Sequence, residues 1–299
     1  MIVIRDLRKR FGASLVLDGV TARIERGEFA VLLGSNGAGK TTLLRCLLGL
    51  LTYDGAVAIG GHDVARDGRA VRRLIGYVPQ RPSLPTEATC GEVLDLFARL
   101  RGLSRGDPLW LARVGLEAHA DVTVGTLSGG MRQRLVLAVA LQADPAVVLF
   151  DEPAAHLDSS ARRALHRDLV GLAGRGRTVV LSTHLAAEPL HAASRALVLD
   201  RGRLVYNGPA DGLGTAVQQR VIFTLNGRGR VELLRLLDGM PGVHRIETPV
   251  GVIAATGAGR AFELLAAVAA AGVRPVEVHV EEPSVDTHLL AQRAREESR

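Results

Sequence analysis

The stretch Gly34-Ser-Asn-Gly-Ala-Gly-Lys-Thr-Thr42 decides how this chain is read. Its spacing is G-x-x-x-x-G-K-[ST]. It follows a short apolar run, Glu28 to Leu33 (EFAVLL), and opens a helix-like segment, Thr41 to Leu50, whose Leu43, Leu44, Leu47 and Leu48 supply a buried side. The order is strand, glycine-rich turn, helix. Successive glycines let the backbone curl with its amides pointing inward, and the helix N-terminus adds partial positive charge, so the turn suits phosphate oxygens. The cradle consists of Gly34, Ser35, Asn36, Gly37, Ala38, Gly39, Lys40, Thr41 and Thr42. Lys40 reaches the β- and γ-phosphates, and the Thr41 hydroxyl meets Mg²⁺. Composition adds weight to Lys40: of 37 basic residues, all but Lys9 and Lys40 are arginine. A compact ammonium where the chain otherwise uses guanidinium fits a phosphate contact.

A second site-bearing strand is Ala146-Val-Val-Leu-Phe150, followed at once by Asp151-Glu152-Pro153. An apolar run ending in two carboxylates places both at the carboxyl end of a central parallel strand, where open α/β sheets bind ligands. Asp151 is the candidate metal carboxylate. Glu152 is the candidate for polarising an attacking water. ATP and Mg²⁺ are therefore the expected ligands.

Length and composition bound the rest. The chain has 299 residues, 47% hydrophobic and 23% charged, enough for a large domain and a smaller one with packed cores. Cys46 and Cys90 form neither a disulfide framework nor a paired zinc motif, which points to a reducing, cytoplasmic setting. Cys46 reads as a small buried hydrophobe. No run approaches 18 apolar residues, and the first residues lack the layout of a signal peptide. The net charge of +6 is spread as scattered arginines without a basic tail or aromatic interleaving, so no nucleic acid is expected as a partner. His62, His119, His166 and His191 lie among surface-like residues and have no ligand spacing.

Between the two strands lies Leu127-Ser-Gly-Gly-Met-Arg-Gln-Arg134. Ser128 suits an N-cap, and Gly129 and Gly130 leave backbone amides open to an anion. In this company the segment resembles the LSGGQ signature of the ATP-binding-cassette (ABC) ATPases. Met131 stands at its fifth position, and Gln133 follows two residues later. The other marks of that family follow in order. Phe11 sits where an aromatic ring stacks on adenine, Gln80 in Tyr77-Val-Pro-Gln80 matches the Q-loop, and Ala155-His-Leu-Asp158 matches the D-loop. His184, after Thr178-Val-Val-Leu-Ser-Thr183, matches the switch histidine. His156 departs from the small residue usual in the D-loop.

The resemblance covers about residues 1–212. It implies an α/β P-loop NTPase of the ABC type, with a RecA-like core, an antiparallel β subdomain and a helical subdomain at about 81–140. The resemblance also assigns Gln80 a place near the metal with Thr41 and Asp151, and gives Glu152, His184, Gln80 and Lys40 to hydrolysis. Ser128, Gly129 and Gly130 face the γ-phosphate held by a second cassette, with a homodimer favoured over a heterodimer. Membrane permease subunits complete the assembly, which sits on the inner face of the cell membrane.

Residues 216–299 follow the cassette at 1–215 and read strand, helix, strand, strand, helix, strand. They form a ferredoxin-like α+β accessory module, with a polar helix from Ser284 to Glu297. Glu282-Pro-Ser-Val-Asp286 is similar to the closing segment of drug, antibiotic and polysaccharide exporter ATPases, which favours export. A substrate-sensing importer tail of the methionine type is the alternative, and a soluble ABC ATPase acting on ribosomes or DNA is the reading from another class.

Overall fold

The computed structural model describes residues 1–154, 159–184, 187–225, 228–249, 251–257, 260–281 and 284–285. The chain divides into two compact units, Met1–His184 with Ala192–Ala210, and Leu185–His191 with Asp211–Arg299. The D-loop residues Ala155 to Asp158 lie outside the described residues.

The first unit opens with β1 (Ile2–Phe11) and β2 (Ser14–Ile24), an antiparallel pair, followed by β3 (Phe29–Leu33), α1 (Lys40–Leu47), β4 (Asp54–Ile59) and β5 (His62–Asp63). Then come α2 (Gly68–Leu74), β6 (Ile75–Val78), α3 (Cys90–Leu100), α4 (Leu109–Arg113) and α5 (Gly129–Leu141). The unit continues through β7 (Val147–Asp151), α6 (Ser159–Gly174) and β8 (Thr178–Thr183). Beyond α7 (Ala187–Ala192), β9 (Arg195–Asp200) and β10 (Arg203–Pro209) form an antiparallel hairpin.

Six strands form the central sheet in the order β10-β9-β3-β8-β7-β6, parallel from β9 to β6. Every residue of β3, β7 and β8 is buried. That is what a parallel strand covered on both faces demands, and it explains why FAVLL, VVLFD and TVVLST are nearly unbroken apolar runs. The register sets Leu33 against Thr183 and Asp151 against Ser182, so the turns leaving β3, β7 and β8 emerge together at the carboxyl edge. A four-stranded antiparallel sheet, β2-β1-β4-β5, shares one core with α1 through Ile2, Leu7, Leu17, Ile59, Leu44 and Leu47.

Between β6 and β7 the chain is helical. Thr89 starts α3 with a reciprocal capping box: its Oγ1 accepts from the Glu92 amide at 3.2 Å, and the Glu92 carboxylate accepts from the Thr89 amide at 2.8 Å. Val93, Leu94, Leu111, Val124, Leu127 and Leu135 give this region its own core. Gln142, just past α5, anchors it by donating to the Leu94 carbonyl at 3.1 Å.

In the second unit, β11 (Val217–Thr224), α8 (Arg228–Asp238), β12 (His244–Thr248), β13 (Gly251–Gly257), α9 (Ala261–Ala270) and β14 (Glu277–Val280) follow in order. The strands lie β12-β13-β11-β14, all antiparallel, over a core of Val221, Phe223, Leu233, Leu237, Val252, Leu264 and Val268. The split β-α-β order is the expected one. The closing helix needs correction at its start, because Ser284 and Val285 are extended and pair as β15 with Gln218 and Val217. Residues 286–299 lie outside the described residues.

One of two side-chain expectations comes out differently. Cys46 is fully buried, as expected, and burial pushes its thiol up to about 11; Cys90 is equally enclosed. His166, expected at the surface, is buried in α6 at 9% exposure: it follows Leu165 on a face turned inward toward the sheet.

Candidate nucleotide site

The turn after β3 owes its shape to two glycines. Gly39 has φ +109° at the N-cap of α1, and a side chain there would meet Leu17 at 2.9 Å. A Cβ on Gly34 would stand 2.4 Å from the Leu199 carbonyl, closer than any side chain tolerates. Backbone of β3, β9 and the turn is thus packed too tightly there for anything but glycine. Val16, Asn36, Gly37, Gly39, Lys40, Thr41, Thr42, Gln80 and Glu152 line one cavity of about 380 Å³.

Lys40 is 5% exposed. Its ammonium donates to the carbonyls of Gly34 (2.7 Å) and Ser35 (3.1 Å) and pairs with Glu152 Oε1 at 3.0 Å. Glu152 Oε2 lies 2.9 Å from Nδ1 of His184, so one carboxylate bridges the ammonium and the imidazole. A buried ion pair of this kind needs its remaining donors and acceptors satisfied, and here they are.

Asp151, 1% exposed, accepts from three hydroxyls: Thr41 Oγ1 at 3.1 Å, Ser182 Oγ at 2.8 Å and Tyr77 OH at 3.4 Å. Burial, with the Asp151 charge second, pushes the Tyr77 phenol up to about 12, which keeps it a donor. Glu152 occupies the left-handed region at φ +45°, a conformation costing a non-glycine residue about 1–2 kcal/mol. Its amide is held by both the carbonyl and the Oγ of Ser182, each at 3.1 Å. Ser182 therefore orients the two carboxylates together. Ser182, Tyr77 and Val16 escape the motif reading, because inside an apolar strand a serine, a tyrosine and a valine look like core.

The other expected residues lie elsewhere. Ser128 caps α5, its Oγ accepting from the Met131 amide at 3.2 Å, and with Gly129 and Gly130 it is exposed and open on its outer side. These three do not line the Lys40 cavity. Phe11 is 49% exposed at the end of β1, with the Lys9 ammonium 4.9 Å from its ring centroid, and it too is not among the lining residues. Among the described residues no group of three His, Cys, Asp or Glu could hold a metal on its own. Asp151 and Thr41 offer one carboxylate and one hydroxyl, the sparse oxygen set on which Mg²⁺ binds when phosphate and water fill its other positions.

A glycine-rich turn closing on a buried lysine, a strand ending in paired carboxylates and a histidine reaching the second of them fit an ATP-hydrolysing cassette. The ABC transporter family model matches residues 17–155, and this chain belongs to the ABC transporter ATP-binding proteins. It is 37% identical over 255 residues to the Nod factor export ATP-binding protein I of Rhizobium sp. (strain N33), covering 82% of each chain. It is 36% identical over 300 residues to the daunorubicin resistance ATP-binding protein DrrA3 of Streptomyces coeruleorubidus, covering 97% of this chain and 94% of that one. Among solved structures it is similar to a dimeric ATP-binding cassette in a post-hydrolysis state with ADP and Pi bound. That likeness has a TM-score of 0.63 and 27% identity, over 70% of this chain and 99% of the other. The chain is thus the ATP-binding and ATP-hydrolysing subunit of a transporter, and such subunits work as dimers with membrane components. Among the described residues no helix is long and apolar enough to cross a membrane.

Proposed function

We propose that this chain drives export through a separate membrane permease, as a homodimer on the cytoplasmic face of the membrane. The observation that carries the site assignment is the bridge Lys40–Glu152–His184 beside Asp151. In this reading the turn amides from Gly34 to Thr42, with Lys40, hold the β- and γ-phosphates, and Phe11 stacks on adenine. Thr41, Asp151 and Gln80 hold Mg²⁺, which when bound neutralises charge developing on the transferred phosphoryl group. Ser182 holds Asp151 aimed at that position through its 2.8 Å hydrogen bond. Glu152 accepts the proton of the attacking water, and His184 fixes the direction of its carboxylate. Ser128, Gly129 and Gly130 face the γ-phosphate held by the partner copy, which accounts for a capped, open helix start away from its own cradle. Residues 216–299 form an accessory domain that leaves the cassette complete.

Export rests on likeness to the Nod factor export and daunorubicin resistance proteins over most of their length. Direction has a readout that needs no known substrate. Comparing the small-molecule content of cells carrying wild-type or Lys40→Ala chain, the transported compound accumulates inside the variant cells if the pump exports, and is depleted there if it imports.

A further inference from the structure

A second cavity, of about 330 Å³, opens between α5 and α6 over the ends of β6 and β7. Its floor is Val78 and Phe150, register partners on neighbouring strands and both buried. Met131 and Leu137 on α5, with Ala164 and Leu165 on α6, form its walls. The cavity exists because α5 serves two cores. Leu135 and Ala138 are committed to the helical region, and Val136 and Ala140 are buried as well. Leu137 is left half-buried between the two helices, and the space beside it is the cavity. Its volume lies at the small end of the ~300–1,000 Å³ that ligand pockets span.

Among the described lining residues Asp168 is the one carboxylate and Arg134 the one guanidinium. Arg134 uses its Nη1 on the carbonyls of Val114 and Gly115, at 3.3 Å each, and does not neutralise Asp168. Among the described residues Asp168 forms no ion pair or hydrogen bond. Burial raises its carboxyl above the usual carboxylate range, by more than the Arg167 and Arg175 charges lower it. An ammonium seated against Asp168 favours its charged form and offsets that desolvation. A carboxylic acid would meet like charge there, and a sugar or phosphate would lie against apolar walls with its polar groups unpaired. The cavity also sits directly behind functional groups. Phe150 precedes Asp151 on β7, and α5 begins at the Ser128 cap.

We infer that this cavity binds a compact aromatic amine, its ring among Phe150, Met131 and Leu137 and its ammonium on Asp168, and that the bound molecule slows hydrolysis by holding α5 against α6; the second half rests on the reading that Ser128 serves the partner copy's nucleotide. A ring packs edge-on or offset against Phe150, and the Met131 sulfur favours contact with a ring edge. Filling the apolar space supplies the affinity, and the single ionic contact sets the orientation. With the cavity filled, α5 and α6 are wedged at one spacing. The Ser128 end of α5 then cannot shift to meet a nucleotide held by another copy, while the Lys40 cavity of its own chain, which shares no lining residue with this one, is left as it was.

The test uses the purified full chain and three probes of similar shape: tryptamine, neutral 3-ethylindole and indole-3-propionate. By calorimetry tryptamine should bind with a dissociation constant of about 0.1–1 mM, 3-ethylindole more weakly, and the acid not measurably. Asp168→Asn should lower tryptamine affinity at least threefold and leave that of 3-ethylindole unchanged. Ala164→Phe, which fills the space, should remove binding of both, and ATP affinity in each variant should match wild type. No measurable tryptamine binding, equal binding of all three probes, an Asp168→Asn chain that keeps its tryptamine affinity, or displacement of tryptamine by ATP overturns the site. Saturating tryptamine should lower kcat at least threefold with KM for ATP unchanged, and the Asp168→Asn chain should resist the same concentration. Unchanged turnover with the amine bound, beside an inactive Ser128→Ala chain, overturns the inferred control and leaves the Ser128 reading standing. A Ser128→Ala chain as active as wild type refutes that reading, whatever the amine does.

Discussion

Glu152→Gln should do two opposite things to the same site. Glu152 Oε1 lies 3.0 Å from the Lys40 ammonium, with the two side chains 9% and 5% exposed. Unit charges at that separation attract by about 5–6 kcal/mol at an effective dielectric of ~20. Burial of both groups cancels most of this, and Lys40 keeps its two carbonyl partners after the substitution. The remainder, about 1–2 kcal/mol, is what phosphate oxygens must overcome to recruit Lys40, and a neutral glutamine removes that competition. Nucleotide affinity should therefore rise about five- to thirtyfold. The carboxylate that accepts a proton from water is gone, and hydrolysis should slow by about 10²–10⁴-fold. If ATP joins two copies and hydrolysis separates them, as the homodimer proposal requires, the variant should accumulate as an ATP-bound dimer. Calorimetric titration with ATP, phosphate release and size exclusion with Mg²⁺-ATP read the three effects separately. Unchanged or weaker affinity would show that Lys40 and Glu152 do not compete with phosphate. Turnover within about fivefold of wild type would take the base role from Glu152 and give it to His184.

Lys40→Ala should abolish tight ATP binding, since the turn amides alone lack a full positive charge; calorimetry checks this, and wild-type affinity would exclude Lys40 from the site. Ser182→Ala removes the 2.8 Å donor to Asp151 and one of two partners of the Glu152 amide, so about 1.5–3 kcal/mol of stability and at least tenfold in turnover should go with it. Thermal unfolding and phosphate release measure the two losses, and a variant matching wild type in both would remove Ser182 from the site. Deleting residues 216–299 should leave ATP affinity unchanged, because the Lys40 cavity draws none of its lining from them. Cys46 holds its proton more tightly folded, at about 11, than unfolded, so iodoacetamide at pH 8 should label it only in denaturant; mass spectrometry that finds it modified in native protein would contradict its burial.

How much was legible depends on whether chemistry or packing chose the residue. Gly34 to Thr42, Asp151 and Glu152 are residue types at spacings that phosphate chemistry requires, and their order along the chain is enough to find them, whereas His184 came only from the resemblance to the ABC ATPases. The elements around them follow from period: unbroken apolar runs for β3, β7 and β8, and alternating ones for the split β-α-β tail. Ser182 and Tyr77 were hidden because a hydroxyl inside an apolar strand has no signature until the register places Ser182 against Asp151. The direction in which Ser128 faces was read only from the family resemblance, since an N-cap has the same sequence wherever its helix points. His166 was misjudged because its neighbours in sequence are arginines and an aspartate, while a helix buries residues by angle rather than by company.

The scarcity of lysine has a practical consequence for anyone attaching a reporter to this molecule. Primary amines number three: the N-terminus, Lys9 and Lys40. The terminal amine is engaged with the Ile24 carbonyl at 2.6 Å, and Lys40 is enclosed by two carbonyls and a carboxylate. That leaves the ammonium lying over Phe11 as the accessible nucleophile for an amine-selective dye. A succinimidyl fluorophore therefore reads out one address on a 299-residue protein without any engineering, at the ring proposed to meet adenine.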